Sequence, residues 1–255
     1  MNKEKNTTMM NQPTLEKLQE LRLSVMAEAW ISQTKDAQTA ALSFDERFGL
    51  IVDAEYLARD NRRIGRLQKD AQLRYPMACI EDIEPSASRG LDKAQVRQFA
   101  RGTWLSDHLN MILSGKTGVG KSYVACAFGN NACRKGHRVL YRRVPRLFDE
   151  LALARADGTY AKLLAKLAKV DMLILDDWGV GTLKEVQRND LFEVVEDRYG
   201  RSSTVITCQL PIDKWHQWIG DPTIADAILD RLVRNAYKVN LTGATRRPEV
   251  SKTTD

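Results

Sequence analysis

The apolar positions along the chain follow two different patterns. From residue 14 to residue 70 they recur every three or four positions, beginning with Leu15, Leu18, Leu21, Val25 and Ala29. This spacing is typical of amphipathic helices. Beyond residue 105, short apolar runs alternate with stretches of helical spacing, which favours a parallel sheet covered by helices on both faces. The sequence therefore predicts an α/β domain preceded by a small all-helical N-terminal domain.

Four segments follow from these patterns. The polar residues 1–13 are expected to form a disordered tail, and residues 14–80 the helical domain. Residues 81–248 would form the α/β domain, and residues 249–255 a flexible tail.

The predicted elements are short and alternate in type. Strands are expected at 109–113, 138–141, 172–177, 204–208 and 237–241. Helices are expected at 44–70, 92–101, 123–134, 159–168, 184–199, 211–219 and 223–235, with one more opened by Pro145.

A glycine-rich turn lies between the first of these strands and the helix that follows it. Residues 115–122 read G-K-T-G-V-G-K-S, a complete phosphate loop in its strand–turn–helix setting. Glycines let the backbone N–H groups approach an anion, and the helix N-terminus adds partial positive charge. Lys121 would reach the terminal phosphates, and Ser122 would ligate Mg²⁺. The predicted ATP-binding residues are Gly115, Lys116, Thr117, Gly118, Val119, Gly120, Lys121, Ser122 and Tyr123. The alternative is a glycine-rich turn that matches the motif by chance.

Polar residues end two further strands. The run 172–175 leads directly into Asp176 and Asp177, and the run 204–208 into Gln209. Ligands in open α/β sheets bind at such carboxyl ends. We expect Asp176 to hold Mg²⁺ through water and Asp177 to orient or deprotonate the attacking water. Gln209 would touch the γ-phosphate and that water, although a strand-end cap explains the amide equally well.

Composition narrows the class of protein. The 255 residues are 43% hydrophobic, so a sizeable core is expected. No apolar stretch is long enough to span a bilayer, and the N-terminal residues lack the apolar core of a secretory signal peptide. We therefore expect a cytoplasmic protein with no membrane partner. The four cysteines lack C-x-x-C spacing, which predicts reduced structural thiols and no zinc.

The net charge of +6 favours an anionic partner, and two basic groups are candidates for DNA contact. The first shares one face of a predicted helix and consists of Arg59, Arg62, Arg63, Arg66 and Lys69. The second follows the second strand and consists of Arg142, Arg143 and Arg146, with Arg138 before it. Neither is interleaved with aromatic residues, so contact with the phosphates of duplex DNA is favoured over stacking on single strands. A solvated helix face is the alternative for the first group.

Arginines near the end of the chain are candidates for trans catalysis. Arg231 and Arg234 lie on the last predicted helix, far in sequence from the phosphate loop. In an oligomer such an arginine can reach a neighbour's γ-phosphate. A surface salt bridge of Arg231 with Asp226 or Asp230 is the alternative, and the residues alone do not decide between the two.

Several motifs together resemble one known family. They are G-K-T-G-V-G-K-S-Y, L-I-L-D-D-W-G, T-V-I-T-C-Q-L-P, I-G-D-P-T-I-A-D-A-I-L-D-R-L-V and N-A-Y-K-V-N-L. They closely resemble the IstB proteins, helper ATPases of bacterial insertion sequences. These are relatives of the helicase loader DnaC and the initiator DnaA in the AAA+ class.

The resemblance covers nearly the whole chain and implies a function. It implies a P-loop AAA+ ATPase that uses ATP and Mg²⁺, forms homo-oligomers, binds double-stranded DNA and assists a separate transposase in the bacterial cytoplasm. By position, Gln209 would be the polar sensor, Arg231 or Arg234 the arginine finger, and Arg247 or Arg246 the second sensor that contacts nucleotide. The nearest alternative is a replicative helicase loader of the DnaC type. A small-molecule kinase and a DNA-binding module with a vestigial ATPase are the others.

Overall fold

A computed structural model describes residues 3–36 and 38–246, and the chain divides into two compact units, 1–65 and 66–255. The division falls inside a helix, whereas the sequence places the domain boundary at residue 80. Leu67, Ala71 and Leu73 explain the difference, because they pack in the hydrophobic core of the second unit. The last turns of this helix therefore belong to the second unit.

Helices make up the described part of the first unit. They are α1 (Lys3–Glu20), α2 (Ser24–Lys35) and the first turns of α3 (Phe44–Ala71). Helix α1 begins well before residue 14, where the sequence predicts the end of a tail. Residues 3–12 contain no glycine and no proline, the residues that most oppose a helix, so their polar composition does not prevent one. The predicted tail at 249–255 lies outside the described residues.

Two local interactions fix the start of α3 and its packing on α2. Ser43 and Glu46 form a reciprocal cap, in which the Ser43 N–H donates to Glu46 Oε2 at 2.8 Å and the Glu46 N–H to Ser43 Oγ at 3.3 Å. The buried Glu55 carboxylate accepts from the Met26 N–H at 3.0 Å and from Arg59 Nε at 2.8 Å. Glu55 therefore holds α2 against α3.

The second unit is built on a parallel five-stranded sheet of order β2-β3-β4-β1-β5. The strands are β1 (Asn110–Gly115), β2 (Val139–Arg143), β3 (Met172–Trp178), β4 (Ser203–Cys208) and β5 (Ala236–Leu241). The helices are α4 (Lys93–Arg101), α5 (Thr103–Ser106), α6 (Lys121–Arg134), α7 (Val144–Ala156), α8 (Tyr160–Lys169), α9 (Glu185–Arg198), α10 (Trp215–Ile219) and α11 (Pro222–Val233). The predicted α/β class and every predicted strand are confirmed; the helix expected at 211–219 is a 3-10 turn followed by the short α10.

Alternate strand residues enter two separate cores, one on each face of the sheet. In β3, Met172 and Ile174 pack in the core that includes α6, whereas Leu173 and Leu175 pack in the core formed with α7, α9 and α11. Both faces are covered, which explains why these strands are continuously apolar. The carboxyl ends of β1, β3 and β4 then meet at one edge of the sheet.

Buried Arg198 lies at the opposite end of the strands, where β4 begins. Its guanidinium donates to Leu167 O at 2.6 Å, Val170 O at 3.0 Å and Thr204 Oγ1 at 3.1 Å. Burial lowers its pKa to about 9, so the group is still charged at neutral pH. It ties the end of α8 to the start of β4.

Candidate nucleotide-binding site

The phosphate loop connects β1 to α6 as the sequence predicts. Gly115, Gly118 and Gly120 have φ angles of +144°, +87° and +97°, a region that side chains other than glycine rarely adopt. A Cβ on Gly115 would overlap the carbonyl oxygen of Leu241, and one on Gly118 would overlap the Thr245 side chain. Gly115 and Gly118 are therefore required both by the backbone turn and by the chain packed against it, and Gly120 by the turn alone.

Lys121 begins α6 and extends back into the loop. Its buried ammonium group donates to the carbonyl oxygens of Gly115 at 2.8 Å and Lys116 at 2.9 Å. Together with the positive end of the α6 dipole, it concentrates positive charge where phosphates would bind.

The two aspartates lie in a β-bulge that the sequence does not reveal. Leu175 pairs with Ile206 and Trp178 with Cys208, so β3 advances three residues where β4 advances two. Asp177 takes the left-handed φ of +60° at this point. In a regular strand Asp177 would share the face of Leu175, but the bulge puts Trp178 into that core instead. The bulge therefore keeps the Asp177 carboxylate out of this core.

Asp176 is fully buried and all four of its side-chain partners are donors. Oδ1 accepts from Ser122 Oγ at 2.8 Å and from the Thr207 hydroxyl. Oδ2 accepts from the Tyr141 hydroxyl at 2.5 Å, and Arg74 Nη1 lies 3.6 Å from it. Burial, and the bond to Asp176, raise the pKa of Tyr141 well above its usual value, so this hydroxyl remains a donor. Both carboxylate oxygens of Asp176 therefore face donors, beside the phosphate-loop serine.

Asp177 and Gln209 flank the loop from the other strand ends. Asp177 Oδ2 accepts from Arg143 Nε at 2.6 Å, and both side chains are partly exposed. Gln209 Oε1 accepts from Thr117 Oγ1 at 2.6 Å, so the amide touches the phosphate loop directly. The structure thus brings together the loop, both acids and the amide that the sequence singled out.

A cavity of about 470 Å³ lies over these groups. The segment after α3 supplies part of its wall, including Arg74, Tyr75, Asp82, Ile83 and Arg89. Tyr123, also predicted for ATP, donates to Asp82 at 3.2 Å. Sequence reasoning did not single out this segment, or the strand residues Tyr141 and Thr207, as part of the site. The one available signal is that the polar Thr207 lies two residues before Gln209, at the same end of a predicted strand.

The donor set fits a magnesium ion. Ser122 Oγ and Asp176 Oδ1 are hard oxygen ligands 2.8 Å apart. Among the described residues there is no group of three or more His, Cys, Asp or Glu that could form a complete metal cage. Phosphate oxygens and water would have to complete the coordination, which is usual for Mg²⁺ at nucleotide sites.

The two candidate finger arginines lie at the opposite edge of the sheet. The carbonyl of Arg231 accepts from Asn110 Nδ2 at 3.0 Å, at the first residue of β1. The Arg231 guanidinium pairs with Glu196, not with Asp226 or Asp230. Arg234 pairs with Asp230 at 3.2 Å, and its side chain is 75% exposed. Neither therefore lies at the phosphate loop of its own chain.

Of the two candidate second sensors, Arg246 lines the cavity and Arg247 lies outside the described residues. The Arg246 N–H donates to Gly118 O at 2.9 Å, and its guanidinium pairs with Glu84. The chain after β5 therefore contacts the phosphate loop.

The predicted DNA-contacting residues differ in accessibility. Arg59, Arg62 and Arg63 are more than half exposed, with Arg59 and Arg62 paired to Glu55 and Arg63 to Asp60. Arg66 and Lys69 are exposed on the following turns of α3, and Arg146 is exposed on α7. Arg142 is only 12% exposed because it pairs with Glu150 and Gln72 inside the second unit, so it is a structural residue.

The cysteines form no reactive centre in the described residues. Burial raises the pKa of Cys126 and Cys133 to about 11 and that of Cys208 to about 12. Cys79 is partly exposed and donates to Asp82 at 2.9 Å. No helix of the described chain has the length and apolar character needed to cross a membrane.

Comparison with known proteins identifies one family. The model of the IstB-like ATP-binding proteins matches residues 16–253. An insertion-sequence ATP-binding protein of Sinorhizobium fredii is 47% identical over 239 residues, which cover 94% of this chain and 97% of that protein. The ATP-binding protein of insertion sequence IS1162 from Pseudomonas fluorescens is 48% identical over 203 residues, covering 80% of this chain and 88% of that one.

The fold has a counterpart among solved structures. The DnaC helicase loader matches with a TM-score of 0.56 at 20% identity, over 66% of this chain and 99% of that one. At this identity the likeness concerns the fold alone. The extent of the family match and the identity to insertion-sequence proteins show that this chain is an ATPase that belongs to the IstB-like ATP-binding proteins.

Proposed function

We propose that this ATPase is a DNA-binding helper of a transposase, which assembles on target DNA as a homo-oligomer and promotes transposition of an insertion sequence. The observation that carries assembly is the separation of Arg231 and Arg234 from the phosphate loop of their own chain. Phosphoryl transfer gains greatly from an arginine at the γ-phosphate. The distance of both arginines from their own phosphate loop supports a role at the nucleotide of a neighbouring subunit.

The described residues suggest how ATP would be handled. The phosphate loop and Lys121 bind the phosphates, and Ser122 and Asp176 hold Mg²⁺, which would neutralise charge on the phosphate oxygens. Asp177 orients or deprotonates the attacking water, and Gln209, already in contact with the loop, positions that water and the γ-phosphate. Release of Asp177 from Arg143 is part of this proposal, because the guanidinium occupies the carboxylate that would contact the water.

Contact with duplex DNA would use basic side chains that bind the phosphates of its backbone. The exposed arginines of α3 are spaced so that they share one helix face, with Arg66 and Lys69 continuing it. Contacts of this type give affinity without sequence preference and are strongly salt-dependent. Many such contacts in an oligomer could offset the several kcal/mol that deforming a short duplex costs, about 1–6 kcal/mol for a smooth bend.

The test is nucleotide-dependent assembly measured by sedimentation, with and without duplex DNA. The wild-type protein should form larger species with Mg²⁺ and a non-hydrolysable ATP analogue, and Lys121→Ala should not. Mixing tests the trans arginine: Arg231→Ala or Arg234→Ala should lose hydrolysis and regain part of it when Lys121→Ala subunits supply intact arginines. Wild-type protein that stays equally dispersed and equally indifferent to DNA with or without nucleotide would refute the proposal.

A replicative helicase loader is the competing function, because the DnaC helicase loader has the same fold. The relatives at 47–48% identity are named for insertion sequences, which favours transposition. Pull-down with the transposase and with the replicative helicase separates the two, because each function requires a different partner.

A further inference from the structure

Arg74 lies where the long helix α3 meets the nucleotide site. It follows the end of α3 at Ala71 by three residues, after Gln72, which has a left-handed φ of +51°. Leu73 is buried in the core beside α6 and anchors this turn. The segment 72–74 is therefore fixed on both sides, and the position of Arg74 is set by the fold.

The contacts of Arg74 are divided between the buried aspartate and the cavity. Its Nη1 lies 3.6 Å from Asp176 Oδ2, and its guanidinium lies 5.5 Å from the centre of the Tyr75 ring. The side chain is 42% exposed and lines the cavity over the phosphate loop. A guanidinium has five N–H donors, and one carboxylate oxygen cannot use them all.

The two oxygens of Asp176 have separate partners. Oδ1 accepts hydrogen bonds from Ser122 and Thr207, whereas Oδ2 accepts one from Tyr141 and lies beside the guanidinium of Arg74. The Arg74 contact therefore does not involve the oxygen of Asp176 that faces Ser122. Arg74 can position Asp176 and face the phosphates at the same time.

We propose that Arg74 is a further nucleotide-binding residue, which donates its remaining N–H groups to the terminal phosphates of a bound nucleoside triphosphate. Its planar fork of donors suits phosphate oxygens, and its charge helps to balance the added negative charge of the third phosphate. The inference rests on the ATPase activity of the family and does not require DNA binding or assembly.

The same geometry gives α3 a connection to the nucleotide. Gln72 Oε1 accepts from Arg142 Nη1 at 2.7 Å, and Gln68 Nε2 donates to Asn130 Oδ1 of α6 at 2.5 Å. Arg74 thus continues a segment that is already tied to β2 and to the helix of the phosphate loop. Binding of a third phosphate by Arg74 restrains the last turns of α3, which ADP does not do.

Calorimetric titration with Mg²⁺ and either AMPPCP or ADP tests the first step, using Arg74→Met, Arg74→Lys and the exposed α4 control Arg97→Met. One charge-assisted hydrogen bond predicts that Arg74→Met binds AMPPCP about tenfold more weakly. ADP lacks the third phosphate that Arg74 would contact, so the affinity for ADP should change less than about threefold. The affinity of Arg74→Lys for AMPPCP should lie between those of wild type and Arg74→Met, and Arg97→Met should match wild type.

Hydrogen exchange tests the link to α3. Exchange of residues 66–73 should be slowed by AMPPCP more than by ADP in wild type, and equally by both in Arg74→Met.

Equal weakening of AMPPCP and ADP by Arg74→Met would overturn the inference and leave Arg74 as a structural partner of Asp176. Unchanged binding of both would overturn it too. If Arg74→Met does not fold, Arg74→Lys decides, because retention of the wild-type AMPPCP-to-ADP ratio refutes the phosphate contact. Failure of the wild-type protein to bind AMPPCP would instead refute the ATP site itself.

Discussion

Replacing Arg143 by alanine tests whether this residue restrains ATP hydrolysis. Arg143 Nε lies 2.6 Å from Asp177 Oδ2, so the guanidinium occupies the carboxylate proposed to act on the attacking water. Alanine removes the ion pair and leaves Asp177 on its bulge. We therefore expect faster hydrolysis in the absence of DNA.

The structure limits how large this increase can be. The side chains of Arg143 and Asp177 are 44% and 25% exposed, so water screens the pair. Exposed ion pairs contribute about 0.2–1 kcal/mol, which corresponds to a rate increase of about 1.4- to 5-fold at most. A larger change would require an effect on the fold or on assembly.

The assay is steady-state phosphate release at saturating ATP, without DNA, together with the melting temperature of each variant. Arg146→Ala is the matched control, because Arg146 is an exposed arginine of the same segment, whereas the ion pair with Asp177 is made by Arg143. Asp177→Asn should lower the rate by about 100-fold or more and should remove the stimulation in the double variant. A fall in rate with Arg143→Ala, or an equal rise with Arg146→Ala, would refute this reasoning.

Three further predictions concern other parts of the chain. Gly115→Ala should abolish AMPPCP binding, because the φ of +144° and a neighbouring backbone oxygen exclude a Cβ, whereas Gly49→Ala, which meets open space, should bind normally. Alkylation of the native protein at pH 8 should modify Cys79 alone, as counted by mass spectrometry, because the other three thiols are buried. The hydrogen bond to Asp82 raises the pKa of Cys79 as well, so this reaction should be slow, and rapid modification of all four thiols would contradict the fold. Changing Arg63 and Arg66 to glutamine should reduce the slope of log K against log salt for binding of duplex DNA by about 1.8. An unchanged slope would show that this face of α3 is solvated and does not contact DNA.

The fold is largely predictable from the sequence because its strands are buried on both faces. A short, continuous apolar run such as 172–175, bounded by polar residues, is typical of a central strand in a parallel sheet. Asp92 and Gln95 mark the start of α4 by a reciprocal cap. Helix boundaries are less predictable where packing decides. The turns of α3 look alike in sequence on either side of Gly65, and only their burial against α6 assigns the later ones to the second unit.

The site is predictable where a motif carries it and not where the backbone is irregular. The phosphate loop and the paired acids follow from residue types and spacing. The bulge at Asp177 does not, because it results from unequal advance of β3 and β4 and leaves no mark in residue spacing. Arg74, Tyr141 and Thr207 come from separate strands and a connecting segment, and only the folded chain brings them to Asp176.

The contact between the chain after β5 and the phosphate loop has a practical consequence. The Arg246 N–H donates to Gly118 O at 2.9 Å, and Thr245 packs where a side chain on Gly118 would lie. A purification tag or fluorescent protein fused shortly after residue 246 would be attached next to residues that contact the phosphate loop directly. Biochemists who label this protein should therefore place the fusion elsewhere, or they will measure the linker's influence on ATP affinity.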